Sequence, residues 1–410
     1  MGLPSFSSVV FLWIVASFSF GIVCGQDDTL NLLDFGASGD GIADDSQAFS
    51  NAWKTLCASG KALNIPAGKT FVVKPLQLLG PCKSNVLIQV DGNIVGPPTL
   101  GQWAESCNSG CWLCFQNVKG LIMKGNGLIN GKGSIWWNQK SQSLNSLFFH
   151  KCDQLQLNGI TSRDSPKMHV FIHSCNDVRI SNVHLNAPEN SPNTDGIDIS
   201  LSSHVTVQDS FIGTGDDCIA IKGGSSFVNI THVTCGPGHG FSVGSLGQNP
   251  AVADEVEQIF VQNSICDKTL NCARIKTWVG GSGYAKAIFF KQMTLKQSKN
   301  PILIDQHYCN GAANCATKAG AVKVSDVQFS GFTGTSASEQ AITLDCSDLG
   351  CTNIVMDHVS LTSAVPGKPV LRSVCNKASG EASFTTPEVP CLKSQVNPVT
   401  EIISPISVTP

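Results

Sequence analysis

The 410-residue chain has little charge and few rings: Asp, Glu, Lys and Arg make up 14% of it, aromatics 7%, and only two residues are tyrosine. It has no run of lysine or arginine, and its formal net charge of -3 excludes the broad basic surface that holds nucleic acid. Sparse charge combined with 42% hydrophobic residues also excludes an intrinsically disordered chain. Beyond Gly25 no segment is long and apolar enough to span a bilayer. Glycine is plentiful, at 39 residues, and points to a turn-rich, all-β protein.

The stretch from Met1 to Gly25 contains no charged side chain and carries an apolar run from Val9 to Val23, followed by Cys24-Gly25-Gln26 and the acidic pair Asp27-Asp28. This reads as a signal peptide with Val23 and Gly25 near the cleavage point. The missing basic residue at its start leaves a retained membrane anchor as the alternative. Eighteen cysteines in a chain with an export signal point to disulfides in an oxidising compartment. Loss of Cys24 would leave seventeen, so at least one thiol is expected outside an intrachain pair. The close pairs Cys309–Cys315, Cys346–Cys351 and Cys375–Cys391 look like local staples. A zinc site at Cys107, Cys111 and Cys114 lacks a partner pair at finger spacing.

Alternating apolar pairs recur along the chain: Leu155/Leu157, Val178/Ile180, Val205/Val207, Val228/Ile230, Ile259/Val261, Ile288/Phe290, Val322/Val324 and Ile354/Met356. Successive starts lie roughly 23 to 34 residues apart, which is the period of a solenoid coil. Period-two alternation turns one set of side chains inward, and Gly, Asn, Asp and Ser clusters make the turns. The expected fold is a right-handed parallel β-helix. A β-sandwich also alternates, but its strands recur at shorter intervals. Before the solenoid, Asp44-Asp45-Ser46 reads as a helix start, and Ala48, Phe49, Ala52, Trp53 and Leu56 form its apolar stripe. Such a helix would cap the open end of the stack. The expected organisation is a signal peptide over 1–25, one β-helix domain over 26–394, and a loose tail over 395–410.

Three neighbouring repeats carry polar residues that a solenoid does not need: Asn193-Thr194-Asp195-Gly196-Ile197-Asp198-Ile199, Gly215-Asp216-Asp217-Cys218-Ile219-Ala220-Ile221 and Gly238-His239-Gly240-Phe241-Ser242-Val243. Asp195, Asp217 and His239 each stand two places ahead of the first inward residue, and the interval from Asp195 to Asp217 equals that from Asp217 to His239. They should therefore stack in one column with Asp216 beside them. Carboxylates on adjacent coils, about 4.8 Å apart, repel by on the order of 3 kcal/mol at an effective dielectric near 20. One acid is then pushed to keep its proton while another loses it. Glycosidic cleavage needs that pairing: one carboxyl protonates the leaving oxygen and another activates water. Taken singly, each Asp could be an ordinary Asx-turn residue, and the set could bind calcium, although His239 is a poor calcium ligand. The next coil supplies Arg274-Ile275-Lys276, whose two cations would face outward beside the acids and could grip sugar carboxylates. Tyr308 follows one coil later and could stack on a sugar or simply pack, and His169 is a weaker candidate.

Asn193-Thr194-Asp195-Gly196, Gly215-Asp216-Asp217, Gly238-His239-Gly240 and Arg274-Ile275-Lys276 resemble, in order and spacing, the four signatures of the polygalacturonases. The resemblance extends over Asp34-Phe35-Gly36-Ala37, Gly39-Asp40-Gly41, Gly131-Lys132-Gly133 with Trp136-Trp137, Ser165-Pro166 with His169, and Tyr308, roughly residues 30 to 390. It implies that Asp216 is the general acid, that Asp195 and Asp217 activate water, and that His239 supports the acid. It further implies that Arg274 and Lys276 bind galacturonate carboxylates, that the anomeric centre is inverted, and that no metal or other cofactor takes part. Inverting enzymes usually separate their carboxyls by roughly 6.5 to 9.5 Å, more than adjacent coils would give. Gly280-Gly281-Ser282-Gly283-Tyr284 looks like the plant endo-acting members. The substrate implied is pectin or polygalacturonate, met by a secreted, extracellular, monomeric enzyme of the cell wall with no nucleic-acid or membrane partner. The alternatives are an exo-acting hydrolase, a calcium-dependent pectate lyase and a non-catalytic wall-binding β-helix. Asn229-Ile230-Thr231 is the sole glycosylation sequon.

Overall fold

The computed structural model describes Gly2 and residues 29–104, 110–139, 143–310, 320–367 and 370–394. The expected signal peptide and tail lie outside these ranges except for Gly2, as do Cys107 and Cys315. The described residues form a parallel β-helix: every strand pairing is parallel, and the ladders join twenty strands into one sheet and eleven into another.

One column shows why the coils stack. Leu63, Ile88, Met123, Leu157, Ile180, Val207, Ile230, Val261, Phe290, Phe329 and Met356 follow one another in register, each no more than 1% exposed. Each such side chain withdrawn from water contributes about 1.5–3 kcal/mol, so the repeat is held by a continuous apolar spine. Two expectations need correction. The fully buried series starts not at Leu155 but three coils earlier, at Leu63, where short strands such as Ala62–Ile65, Val86–Val90 and Leu121–Lys124 gave too little alternation to stand out. Val322 and Val324 are buried, but Val327 and Phe329 continue the column. The reason is the coil corner: Asp177, His204, Phe227, Gln258, Ala287, Asp326 and Asn353 all take a left-handed φ immediately before an inward pair, and Val322 precedes that corner.

The helix α1 spans Ser46–Ser59 and buries Ala48, Phe49, Ala52, Trp53 and Leu56 against the first strands, Thr29–Asn31, Ala62–Ile65 and Leu76–Leu79. Disulfides join Cys346 to Cys351 and Cys375 to Cys391, as the spacing predicts, and also Cys111 to Cys114, which removes two thiolates from any zinc site there. Cys309 is disulfide-bonded as well. Cys152 and Cys175 are free and buried.

The eleven-stranded sheet carries the polar motifs. Its central strands in chain order are β1 (Asn145–His150), β2 (Val170–His173), β3 (Ile197–Ser200), β4 (Ile219–Ile221), β5 (Phe241–Leu246), β6 (Asn271–Trp278) and β7 (Asn300–Tyr308). Consecutive strands are neighbours in space. Their alternate residues, such as Ile197/Ile199, Ile219/Ile221 and Phe241/Val243, fill the core, so the residues between them turn outward.

Candidate active site

Ile197 pairs with Ile219 and Ile219 with Phe241, which puts Asp195, Asp217 and His239, two places ahead of each, in one column. Backbone bonds hold the approach: Gly196 N donates to Asp217 O at 2.9 Å, Cys218 N to Gly240 O at 2.9 Å, and His239 N to Asp216 O at 2.7 Å. Gly240 has to be glycine. Its φ is +91°, and a Cβ would collide with the Asn271 carbonyl of the next coil. The predicted cluster is therefore brought together, with Arg274 and Lys276 on the following coil.

The acids occupy three environments. Asp216 is the accessible one, its side chain 25% exposed. Its Oδ1 lies 3.0 Å from His239 Nδ1 and accepts from Asp217 N at 2.8 Å, which leaves Oδ2 to meet a substrate. Asp217 is buried and fully engaged: Oδ1 accepts from Ser242 Oγ at 2.8 Å and from Arg274 Nη2, and Oδ2 accepts from Lys276 Nζ at 2.8 Å. Burial works against its charge, but the Arg274 and Lys276 cations, with the Lys276 and Ser242 hydrogen bonds, hold its carboxyl far below the usual range. Asp195 is the reverse case. Burial, then the neighbouring Asp198, Asp216 and Asp217, push its carboxyl well above the usual range, and only Lys222 opposes them.

Sequence reasoning gave no role to Asp198, Lys222 or Ser242. Asp198 is fully buried on the outward side of β3, and neither of its oxygens has an aligned hydrogen bond. Lys222 Nζ stands 3.2 Å from Oδ2 as its counter-charge. Burial pushes Asp198 upward, with Lys222 opposing it, while the surrounding acids hold Lys222 more firmly charged than a free lysine despite its own burial. Ser242 bridges Asp217 and Arg274, whose Nε donates to its Oγ at 2.9 Å. Asp198, Ala220, Ser242 and Arg274 are successive members of one outward column, a register already implicit in the equal spacing of the motifs.

The other predicted residues fall as follows. Arg274 and Lys276 are only 8% and 7% exposed, and both bond Asp217 rather than standing free. Tyr308 packs edge-on against Trp278, its ring centroid 5.4 Å from Lys276 Nζ, so it borders the cationic side. His169 is fully buried. Its Nδ1 is 2.8 Å from Ser162 Oγ, its backbone N donates to Asp195 O, and burial lowers its pKa to about 3. Asn229 sits mid-strand in the other sheet, in register with Thr206 and Phe260, away from this cluster.

Asp216, Asp217 and His239 could offer a metal ion ligand atoms within 4.8 Å of one another, and Asp195 stands outside that group. A divalent cation would have to sit beside the Arg274 and Lys276 charges that already neutralise Asp217. The cluster is instead suited to proton transfer: one accessible acid, one fixed anion and one buried carboxyl of raised basicity.

Residues 57–383, which contain every member of this cluster, match Glycosyl hydrolases family 28. The chain belongs to that family. It is 44% identical over 376 residues to an Arabidopsis thaliana protein named a probable polygalacturonase, covering 90% of this chain and 81% of the relative. The polygalacturonase of Persea americana is 40% identical over 364 residues, 86% of this chain and 78% of that protein. Among solved structures, the endo-xylogalacturonan hydrolase from Aspergillus tubingensis superposes with a TM-score of 0.73 at 25% identity, over 88% of this chain and 96% of that one. The polygalacturonase from Erwinia carotovora ssp. carotovora superposes with a TM-score of 0.59 at 22% identity, over 81% and 94%, and shares the fold. Membership makes this family 28 chain a glycoside hydrolase.

Proposed function

We propose that the chain hydrolyses α-1,4 galacturonosyl linkages in polygalacturonate or pectin, cutting internally and inverting the anomeric centre. The observation that carries the reading is the juxtaposition of an accessible Asp216, backed by His239, with an Asp217 locked as an anion and an Asp195 of raised basicity. Asp216 gives its proton to the leaving oxygen. Asp217 is too weak a base to take a proton from water, so its fixed charge orients the water. Asp195, once ionised, is the stronger base and receives the proton. That division agrees with both acids acting on water, and the position of Asp195 outside the tight group supports room for a water between it and Asp216. His239 positions the acid. Arg274 and Lys276, with Tyr308 at their edge, hold a galacturonate carboxylate from the same guanidinium and ammonium groups that brace Asp217.

Names of relatives from several plants support action on galacturonan in the cell wall. No helix among the described residues is long and apolar enough to cross a membrane. The apolar run from Val9 to Val23 supports secretion, and Asn229 is the acceptor if the secreted protein is glycosylated. Gly280–Tyr284 supports the endo mode.

The test is incubation of the secreted protein with polygalacturonate in the presence of a chelator. The expected outcome is new reducing ends without ultraviolet-absorbing unsaturated products, with mixed oligomers appearing early. Monomer as the main early product would replace endo with exo action, and unsaturated products would replace hydrolysis with elimination. Asp216→Asn should abolish cleavage while oligosaccharide binding persists.

A further inference from the structure

The cluster occupies the outward face of the eleven-stranded sheet around β3 to β7. The flank before it, on β1 and β2, is built differently. Phe148 pairs with Phe171 and His150 with His173 across the ladder. On the next coil, Phe171 is in register with Asp198 and His173 with Ser200. Phe148 and Phe171 thus extend the same outward column that runs through Asp198, Ala220, Ser242 and Arg274, and His150 and His173 lie in the column beside it, in register with Ser200. They form a continuous shelf, with centroids 5.2 Å apart for Phe148–Phe171, 5.2 Å for His150–His173 and 5.6 Å for Phe171–His173. All four residues are half-buried, so each keeps part of its ring at the surface.

The chemistry of this flank opposes that of the Arg274 side. Neither β1, Asn-Ser-Leu-Phe-Phe-His, nor β2, Val-Phe-Ile-His, contributes a Lys or Arg. Lys151 follows β1 in the turn beyond His150, and Lys222, one place beyond β4, is committed to Asp198. Burial and the neighbouring His150 hold His173 below the usual imidazole pKa, which favours a neutral His173 ring. Nδ1 of both histidines is buried without a partner, leaving Nε2 as the edge able to meet a hydroxyl or an ester carbonyl. A carboxylate laid on such a surface would lose water without gaining a counter-ion. A methyl ester has no charge to desolvate, and it adds a methyl group that, like the C–H face of a pyranose, packs on aromatic rings.

We propose that the Phe148–Phe171–His150–His173 shelf is a binding subsite for an uncharged, methyl-esterified galacturonosyl residue, adjoining the cleavage site on the β1–β2 flank. The proposal rests on the galacturonan reading above. It makes the enzyme selective for partly esterified pectin: a free carboxylate on the Arg274 side, an ester on the ring side. The occupant is a residue of the bound polysaccharide itself, because the shelf continues the cleavage cluster in register and has neutral, apolar chemistry.

The experiment compares kcat/KM on galacturonan oligomers of equal length, one fully de-esterified and one partly methyl-esterified, for wild type, Phe171→Ala and Phe171→Arg. The expected result is a preference of the wild type for the esterified oligomer that falls about tenfold in Phe171→Ala, the loss of one well-stacked ring, and inverts in Phe171→Arg. Phe171→Leu, which keeps bulk without a ring, replaces the alanine variant if that variant fails to fold, and should show the same fall in ratio. An esterified-to-de-esterified ratio that is the same in all variants overturns the subsite. Calorimetric binding of the two oligomers to the uncleaving Asp216→Asn protein, with and without Phe171→Ala, separates the two readings. If wild type cuts neither oligomer, the hydrolase reading fails. The shelf then stands if the esterified oligomer still binds preferentially through Phe171, and falls if both bind alike.

Discussion

Asp195 and Asp217 hold equivalent positions on neighbouring coils, both buried, yet the fold drives them to opposite protonation states. Position in the repeat does not decide which carboxyl keeps a proton. The difference comes from the coils on either side. Asp217 looks forward to β6, whose Arg274 and Lys276 both reach it from more than a full coil further along the chain. Asp195 faces three other carboxyls and a lysine already committed to Asp198. A solenoid can therefore place a strong acid and a strong base one step apart simply by changing what the next coil contributes.

The comparison can be broken at several points. The largest effect is expected from Asp217→Asn, which removes the anion between two buried cations. The turnover number should fall by about 10² to 10⁴ in steady-state assays, and unfolding in denaturant should show a loss on the order of 3 kcal/mol. Next is Lys222→Met, which strands the buried Asp198. It should cost on the order of 2 kcal/mol, less than a fully enclosed pair because Lys222 is partly exposed, and adding Asp198→Asn should recover most of that loss.

The same two residues sharpen the pH argument, because Lys222 lowers the pKa of Asp195 and Asp198 raises it. In the proposed mechanism cleavage needs Asp195 ionised. Lys222→Met should therefore move the acid limb of the kcat/KM profile to higher pH, and Asp198→Asn alone should move it to lower pH. Shifts in the same direction would refute the role given to Asp195.

Stability should carry the corresponding signs. The lowered carboxyl of Asp217 stabilises the fold above its ordinary value of 3.8, and that contribution is lost as pH falls below it. The raised carboxyl of Asp195 acts oppositely: its contribution is complete below 3.8 and is lost as pH climbs toward the raised value. His169, neutral in the fold down to about 3 against 6.5 when free, stabilises above 6.5 and loses that contribution as pH falls from 6.5 to 3. His169→Gln should flatten acid unfolding across that window, the smallest of these effects, read by circular dichroism during an acid titration.

Much of this was legible in the chain. Inward pairs such as Val205/Val207 and Val228/Ile230 announced the coil because burial on one face forces period-two alternation. The equal intervals between Asp195, Asp217 and His239 placed them in one column because parallel pairing preserves register. The corners were harder to read. His204, Phe227, Gln258 and Ala287 take the left-handed conformation that sequence reasoning reserves for Gly, Asn and Asp, so the step to Val327 was misplaced. The proton distribution was only half readable. Repulsion among the acids required that one be raised, but which one depends on where Arg274, Lys276 and Lys222 reach, and side-chain reach is set by packing rather than by spacing. Asp198 was hidden for the same reason: an outward position on a strand normally means solvent, and here it is covered.

The most direct test is a carbon NMR titration of aspartate carboxyls in the full chain, with Asp195→Asn and Asp217→Asn used to assign the two resonances. The account predicts that the Asp217 carboxyl stays ionised to the lowest pH at which the fold survives, while the Asp195 carboxyl keeps its proton well above the ordinary aspartate range. Two carboxyls titrating together near 3.8, or in the reverse order, would contradict it.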